Sequence, residues 1–195
     1  MYELPTTVSV NDKEYAIRKQ GDYRLVLDAI SMLDDIELTD EEKVFAALIV
    51  FYEGMDSVDT VIAEFDEADK LHNAVTEMFK FINCNDSDIG YKTHHKVIDW
   101  VQDEKLIVSA INNVAHTEVR ALEYLHWWTF IGYYMAVGES PLSTVVGIRD
   151  KIARGKKLDD FEKQFKRDNP EYFKWKRDEQ EGQQLLDQLW NQDKK

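Results

Sequence analysis

The sequence predicts a mainly α protein: a compact helical domain of about six to eight helices with a short N-terminal β-hairpin. Three observations lead there. Only eight glycines and three prolines occur in 195 residues, few for an all-β chain. Apolar residues recur at three- and four-residue spacing through most of the chain. Helix-starting and helix-stopping residues bracket those periodic stretches.

Each element follows from its residues. In "TTVSVNDKEYAI", Val8 and Val10 alternate with small polar residues, Asn11-Asp12 can form a two-residue turn, and Tyr15 and Ile17 alternate on the return. Gly21 breaks the chain, and Asp22 can cap a helix running through Leu25, Ile30 and Leu33. "LTDEEKVFAALIVFYEG" is the clearest helix: Thr39 and Glu42 make a capping box, Val44, Leu48 and Tyr52 lie on its stripe, and Gly54 ends it. Further helices are predicted over residues 67–82 and 97–112, separated by the polar loop "NCNDSDIGYKTHH". The next covers residues 118–137. Ser140-Pro141 starts another, which runs to Arg154 and stops at Gly155. "LDDFEKQFKRDNP" is a short helix begun by Asp159 and Asp160 and stopped at Asn169-Pro170. From Pro170 on, a long exposed helix is expected. The domain organisation expected is a hairpin over 1–20, a helical domain over 21–168 and a helical extension over 169–195.

Charge narrows the function classes. The formal net charge is −14, and the first 140 residues hold 27 Asp+Glu against 11 Lys+Arg, whereas the remainder is nearly balanced. Such an excess of carboxylates repels phosphate backbones and anionic lipid, so neither nucleic acid nor a membrane is an expected partner. An acidic surrogate for DNA is the exception that electrostatics leaves open. The single cysteine, Cys84, excludes an internal disulfide, and "MYELPTTVSV" has no basic region followed by an apolar run. The longest apolar-looking run, residues 125–137, is shorter than the roughly 20 residues a bilayer requires.

Catalytic signatures are missing: no G-x-G-x-x-G, phosphate loop, G-x-S-x-G or H-E-x-x-H occurs. Among the histidines His72, His94, His95, His116 and His126, none has the local spacing of a metal site. "NCNDSDIG" has alternate aspartates but no calcium-loop frame. No enzyme activity, cofactor or metal is expected. A metalloprotein assembled from the scattered histidines is the less favoured alternative. "IRDKIARGKK" concentrates Arg149, Lys151, Arg154, Lys156 and Lys157 at a helix end, where cations complement the dipole and are expected to pair with the acidic N-terminal part of the fold; a phosphate site is the competing reading.

The most unusual stretch is "LHWWTFIGYYMAVG" at residues 125–138. On a helical wheel, Tyr124, Trp127, Trp128, Ile131, Tyr134 and Met135 form one face, with Leu122, Leu125, Phe130 and Tyr133 around the other side. A helix apolar nearly all round is either enclosed by other helices or partly reserved for another chain. Tyrosine and tryptophan also anchor interfaces, and Gly132 lets a second backbone approach. Trp127, Trp128, Ile131, Tyr134 and Met135 are therefore the candidate partner-binding residues. Leu185, Leu186, Leu189 and Trp190 are candidates for a contact between copies, or for docking onto their own domain.

The block "LHWWTFIGYYMAVGESPLSTVVGIRDKIARGKKLDDFEKQF" resembles the C-terminal half of the phage gene-product-fifteen family, found in the tail modules of long-tailed bacteriophages. His126-Trp127-Trp128, Ile148-Arg149 and the exit Ala153-Arg154-Gly155-Lys156-Lys157-Leu158 carry the likeness; "TDEEKVFAALIVFYEG" and "EMFKFINC" match more loosely. It spans about residues 20–168, and the tail after Pro170 departs from it. The resemblance implies a tail assembly chaperone that binds and solubilises the tape measure protein, with other tail assembly proteins as further partners, and it carries over no catalytic residue. Such a protein is expected as a homo-oligomer, since one copy covers little of a long helix. Its expected place is the host cytoplasm of a siphovirus infection, and not the mature virion. The alternative is a minor structural tail component.

Overall fold

A computed structural model describes residues 3–86 and 95–176. Among them are one two-stranded antiparallel sheet and eight α-helices, as the composition predicts. The chain divides into two compact units. The first comprises residues 1–93 and 111–136, the second residues 94–110 and 137–195.

The first unit begins with β1 (Thr7–Val10) and β2 (Lys13–Ala16), with Val10 opposite Lys13. Asn11 and Asp12 both have positive φ, the geometry of a two-residue turn whose twist matches that of the strands. Val10, Tyr15 and Ile17 turn inward, in keeping with the strand period. α1 (Tyr23–Asp34) starts at Asp22, whose carboxylate accepts from the Arg24 amide. α2 (Asp40–Phe51) starts at the reciprocal Thr39/Glu42 box and packs on α1. α3 (Val58–Glu64), which periodicity does not foresee, is a seven-residue helix capped by Ser57 and Thr60. α4 (Ala68–Ile82) packs on α2 and against β1. An aromatic cluster fills the space between these elements: Tyr15 meets Tyr52 and Phe65, and Phe51 meets Tyr52 and Phe81 edge-on. The buried Tyr52 hydroxyl donates to the Ala74 carbonyl at 2.8 Å.

α5 (Glu104–Ala115) starts later than the predicted 97–112 helix. The Asp99 carboxylate accepts from the Val101 and Gln102 amides at 3.0 and 2.8 Å, closing a local turn that competes with helix there. The aromatic helix is also shorter than predicted: α6 spans Trp127–Met135. Residues before it are recruited elsewhere. Val119–Ala121 form a 3-10 turn, the Leu125 amide donates to the Asp22 carboxylate at 3.2 Å, and the Tyr23 amide donates to the Leu125 carbonyl at 2.9 Å. Backbone groups spent on that bridge cannot also serve an α-helix.

In the second unit, α7 (Pro141–Ala153) opens with the Ser140 cap and Pro141 at its first position, and Gly155 follows at φ +65°. α8 (Asp160–Asp168) is capped by Asp159 and Glu162 in a reciprocal box. Pro170–Phe173 form a 3-10 turn, so the expected extension does not begin as an α-helix. The rest of that reading, with Leu185, Leu186, Leu189 and Trp190, lies outside the described residues. Leu142, Val145 and Ile148 are the buried side of α7.

The net charge follows this division. Residues of the first unit carry 23 Asp+Glu against 9 Lys+Arg, whereas those of the second carry 15 of each. All of the excess −14 belongs to the unit that holds α6.

Candidate functional site: the aromatic helix and its anchor

His126 is the N-cap of α6, an unusual residue for that position. Its Nδ1 accepts from the Trp128 backbone amide at 3.0 Å, and its Nε2 lies 2.9 Å from the Pro5 carbonyl oxygen. An amide can only donate and a carbonyl can only accept, so the ring is neutral with its proton on Nε2. Burial pushes its pKa below the ordinary histidine value, and the Pro5 bond opposes that only in part. A protonated ring would present N–H to N–H and lose the cap.

The tryptophans fasten the other side. Trp127 Nε1 donates to the Ile82 carbonyl at 2.8 Å and Trp128 Nε1 to the Phe81 carbonyl at 2.9 Å. Both acceptors lie in the last turn of α4, where helical carbonyls lack helical partners. Trp127 itself is 1% exposed, and its ring stacks with Phe130, which stacks in turn on Tyr23 at 4.4 Å. The His126-Trp127-Trp128 motif is thus a clip that joins the N-terminal segment, α1, α4 and α6.

Two residues beneath the clip escape the sequence reading of the site. Gly21 has φ +78°, and a Cβ there would lie 2.8 Å from Phe81 Cζ and 3.2 Å from His126 Nε2. Arg24 donates to both Asp22 carboxylate oxygens and to the Leu122 carbonyl at 2.6 Å, holding the approach to α6. The only local sign of either is the Gly21-Asp22 pair, read as a helix start.

The predicted partner-binding set divides on this geometry. Trp127 is interior and offers no surface; adjacent tryptophans point about 100° apart, so one of the pair must turn inward. Trp128, Ile131 and Tyr134 are half-buried, whereas Met135 is 78% exposed. The basic stretch is also sorted. Arg149 is buried and pairs with Asp103, Lys151 reaches Glu162 and Arg154 reaches Asp150. His72, His95 and His116 are exposed, and His94 lies outside the described residues. Among the described residues, no three His, Cys, Asp or Glu side chains gather as a metal site. No described helix is long and apolar enough to cross a membrane.

No match is found among curated proteins or solved structures. A family model described as Bacteriophage Gp15 protein matches residues 1–174, so the likeness begins earlier than residue 20 and includes the hairpin and the Pro5 segment that His126 grips. This chain belongs to the Bacteriophage Gp15 protein family.

Proposed function

We propose that this phage protein is a tail assembly chaperone that binds and solubilises the tape measure protein during tail morphogenesis. The observation that supports it best is Met135, 78% exposed at the end of a helix whose other large residues are buried or half-buried. A large apolar side chain left in water beside aromatic neighbours suits a contact with another chain. A tape measure protein is long, helical and rich in apolar faces, so it needs a cover until the tail tube surrounds it. An acidic protein supplies both an apolar contact and the charge that keeps the complex dissolved.

In this reading the protein acts in the host cytoplasm, in many copies along one client and alongside other tail assembly proteins, and leaves before the virion is complete. Light scattering at high concentration tests the self-association, and a strictly monomeric species with and without tape measure fragments counts against it. Co-expression tests the function itself. Tape measure fragments that precipitate alone should stay soluble with this protein, and fragments that precipitate regardless would refute the reading. Mass spectrometry of purified virions should find the protein absent or strongly depleted; one stoichiometric with the tail would instead establish a structural component.

A further inference from the structure

Resting on that reading, we propose that the stripe Trp128, Gly132 and Met135 of α6 is a docking face for a cationic amphipathic helix of the client. These positions are spaced i, i+4 and i+7, so they share one side of the helix. At one end Trp128 is a fixed wall, its indole N–H bonded to the Phe81 carbonyl and its ring 5.9 Å from that of Phe81. In the middle, Gly132 is exposed, and a Cβ built there meets nothing within 4 Å. At the other end stands Met135, unbranched and able to adapt to an irregular apolar surface. The result is a wall, a gap and a pliable knob, into which one helical ridge can settle.

Charge selects the occupant. No Asp, Glu, Lys or Arg occurs in residues 125–138, so the centre of the face is apolar. α1, which packs on the buried side of α6 through Tyr23 and Phe130, has one cation, Arg24, and it is engaged with Asp22. The nearby Arg120 is paired with Glu118 and holds that carboxyl down to about 2. The whole unit bears 23 acidic against 9 basic residues. An apolar face on a unit of such net negative charge complements a helix whose apolar stripe is flanked by Lys and Arg. A second copy of this unit would bring the same negative field against itself, so it is not the occupant.

The test measures fluorescence anisotropy of two synthetic helices on the full-length protein, one of leucine and lysine, the other of leucine and glutamate in the same pattern. The lysine helix should bind, more weakly as salt rises, and the glutamate helix should not. Gly132→Leu puts a side chain into the gap from an exposed position whose Cβ would meet nothing within 4 Å, and it raises helix propensity, so the variant should fold. It should weaken the lysine helix by about tenfold or more, as should Met135→Lys, whereas Ile152→Lys in the second unit should change little. Lysine-helix binding that is undiminished in Gly132→Leu, or equal binding of the glutamate helix, would overturn the proposal. Co-expression separates it from the chaperone reading. If Gly132→Leu still solubilises tape measure fragments as the parent does, the docking face is wrong and the chaperone stands. If the peptides behave as expected but the parent solubilises no fragment, the chaperone reading alone falls.

Discussion

Each unit of this molecule has an arginine that gathers backbone carbonyls, and Arg24 and Arg149 do so under opposite conditions. Arg24, in the acidic unit, keeps 36% of its side chain exposed while binding Asp22 and the Leu122 carbonyl. Arg149, in the neutral unit, keeps only 4%. It forks onto Asp103 at 2.5 and 2.9 Å, donates to the Val97 and Tyr172 carbonyls, and lies 4.2 Å from the Trp175 ring. The same residue type is therefore a half-wet brace in one place and a desolvated, fully partnered charge in the other. The difference lies in what the surroundings offer. The acidic unit is filled by aromatic side chains and pairs its buried Asp22 with a partly exposed cation, whereas the neutral unit buries both members of its ion pair. Energies of breaking the two should diverge accordingly.

The largest expected effect is at the buried pair. Arg149→Met leaves the Asp103 carboxylate buried without its cation and should destabilise the second unit by about 3–5 kcal/mol. Arg149→Met combined with Asp103→Leu should recover much of that loss, because no lone charge remains. Arg24→Met should cost less, since water can reach Asp22's neighbourhood through the exposed guanidinium site. Hydrogen exchange resolved by segment measures all three. An Arg24 variant that is the more damaging would reverse the comparison.

Next comes the clip. Trp127→Ala should cost about 3–5 kcal/mol in chemical denaturation, the usual range for a buried tryptophan, and Trp128→Ala distinctly less. Equal losses would mean that the two indoles share the core evenly, contrary to their exposure. The pH response is smaller. The folded pKa of His126 lies below the unfolded value near 6.5, so below that pH the unfolded chain binds a proton that the folded chain refuses. Stability of the first unit should therefore be complete above about pH 6.5 and fall as pH drops towards the folded pKa, by at most about 1.4 kcal/mol per pH unit. His126→Asn, which can still cap α6 through its side-chain oxygen, should flatten that slope relative to the parent. An unchanged slope would place the titration elsewhere. Smallest is the outer face: Met135→Ala should alter stability by no more than about 0.5 kcal/mol, since little packs on that side chain.

Much of the fold is legible from local chemistry. The Thr39/Glu42, Ser140 and Asp159 caps, the Asn11-Asp12 turn and the Asp22 start are each decided within a few residues, and each stands where the sequence places it. What escaped depends on partners far away in the chain. The aromatic helix is cut to Trp127–Met135 because Asp22 captures Leu125, about a hundred residues distant. Arg149 reads as one of several helix-end cations, and nothing local singles it out as the one that meets Asp103. α3 is too short to show a period, and only its Ser57 cap marks it. For the candidate site, the sequence singled out this helix but could not say which tryptophan turns inward. Both indoles are held by carbonyls at the end of α4, and it is Trp127 that turns inward to stack with Phe130.

On the proposed function, the tape measure protein docks on the outer side of α6 in the acidic unit. Site-specific photo-crosslinking during phage infection tests it most directly, with the crosslinker placed at Met135 in one experiment and at Phe161, 67% exposed in the neutral unit, in another. An adduct with the tape measure protein is expected from position 135, and none, or far less, from position 161. Adducts from 161 alone, or no tape measure adduct from 135 while the two proteins still co-purify, would contradict it.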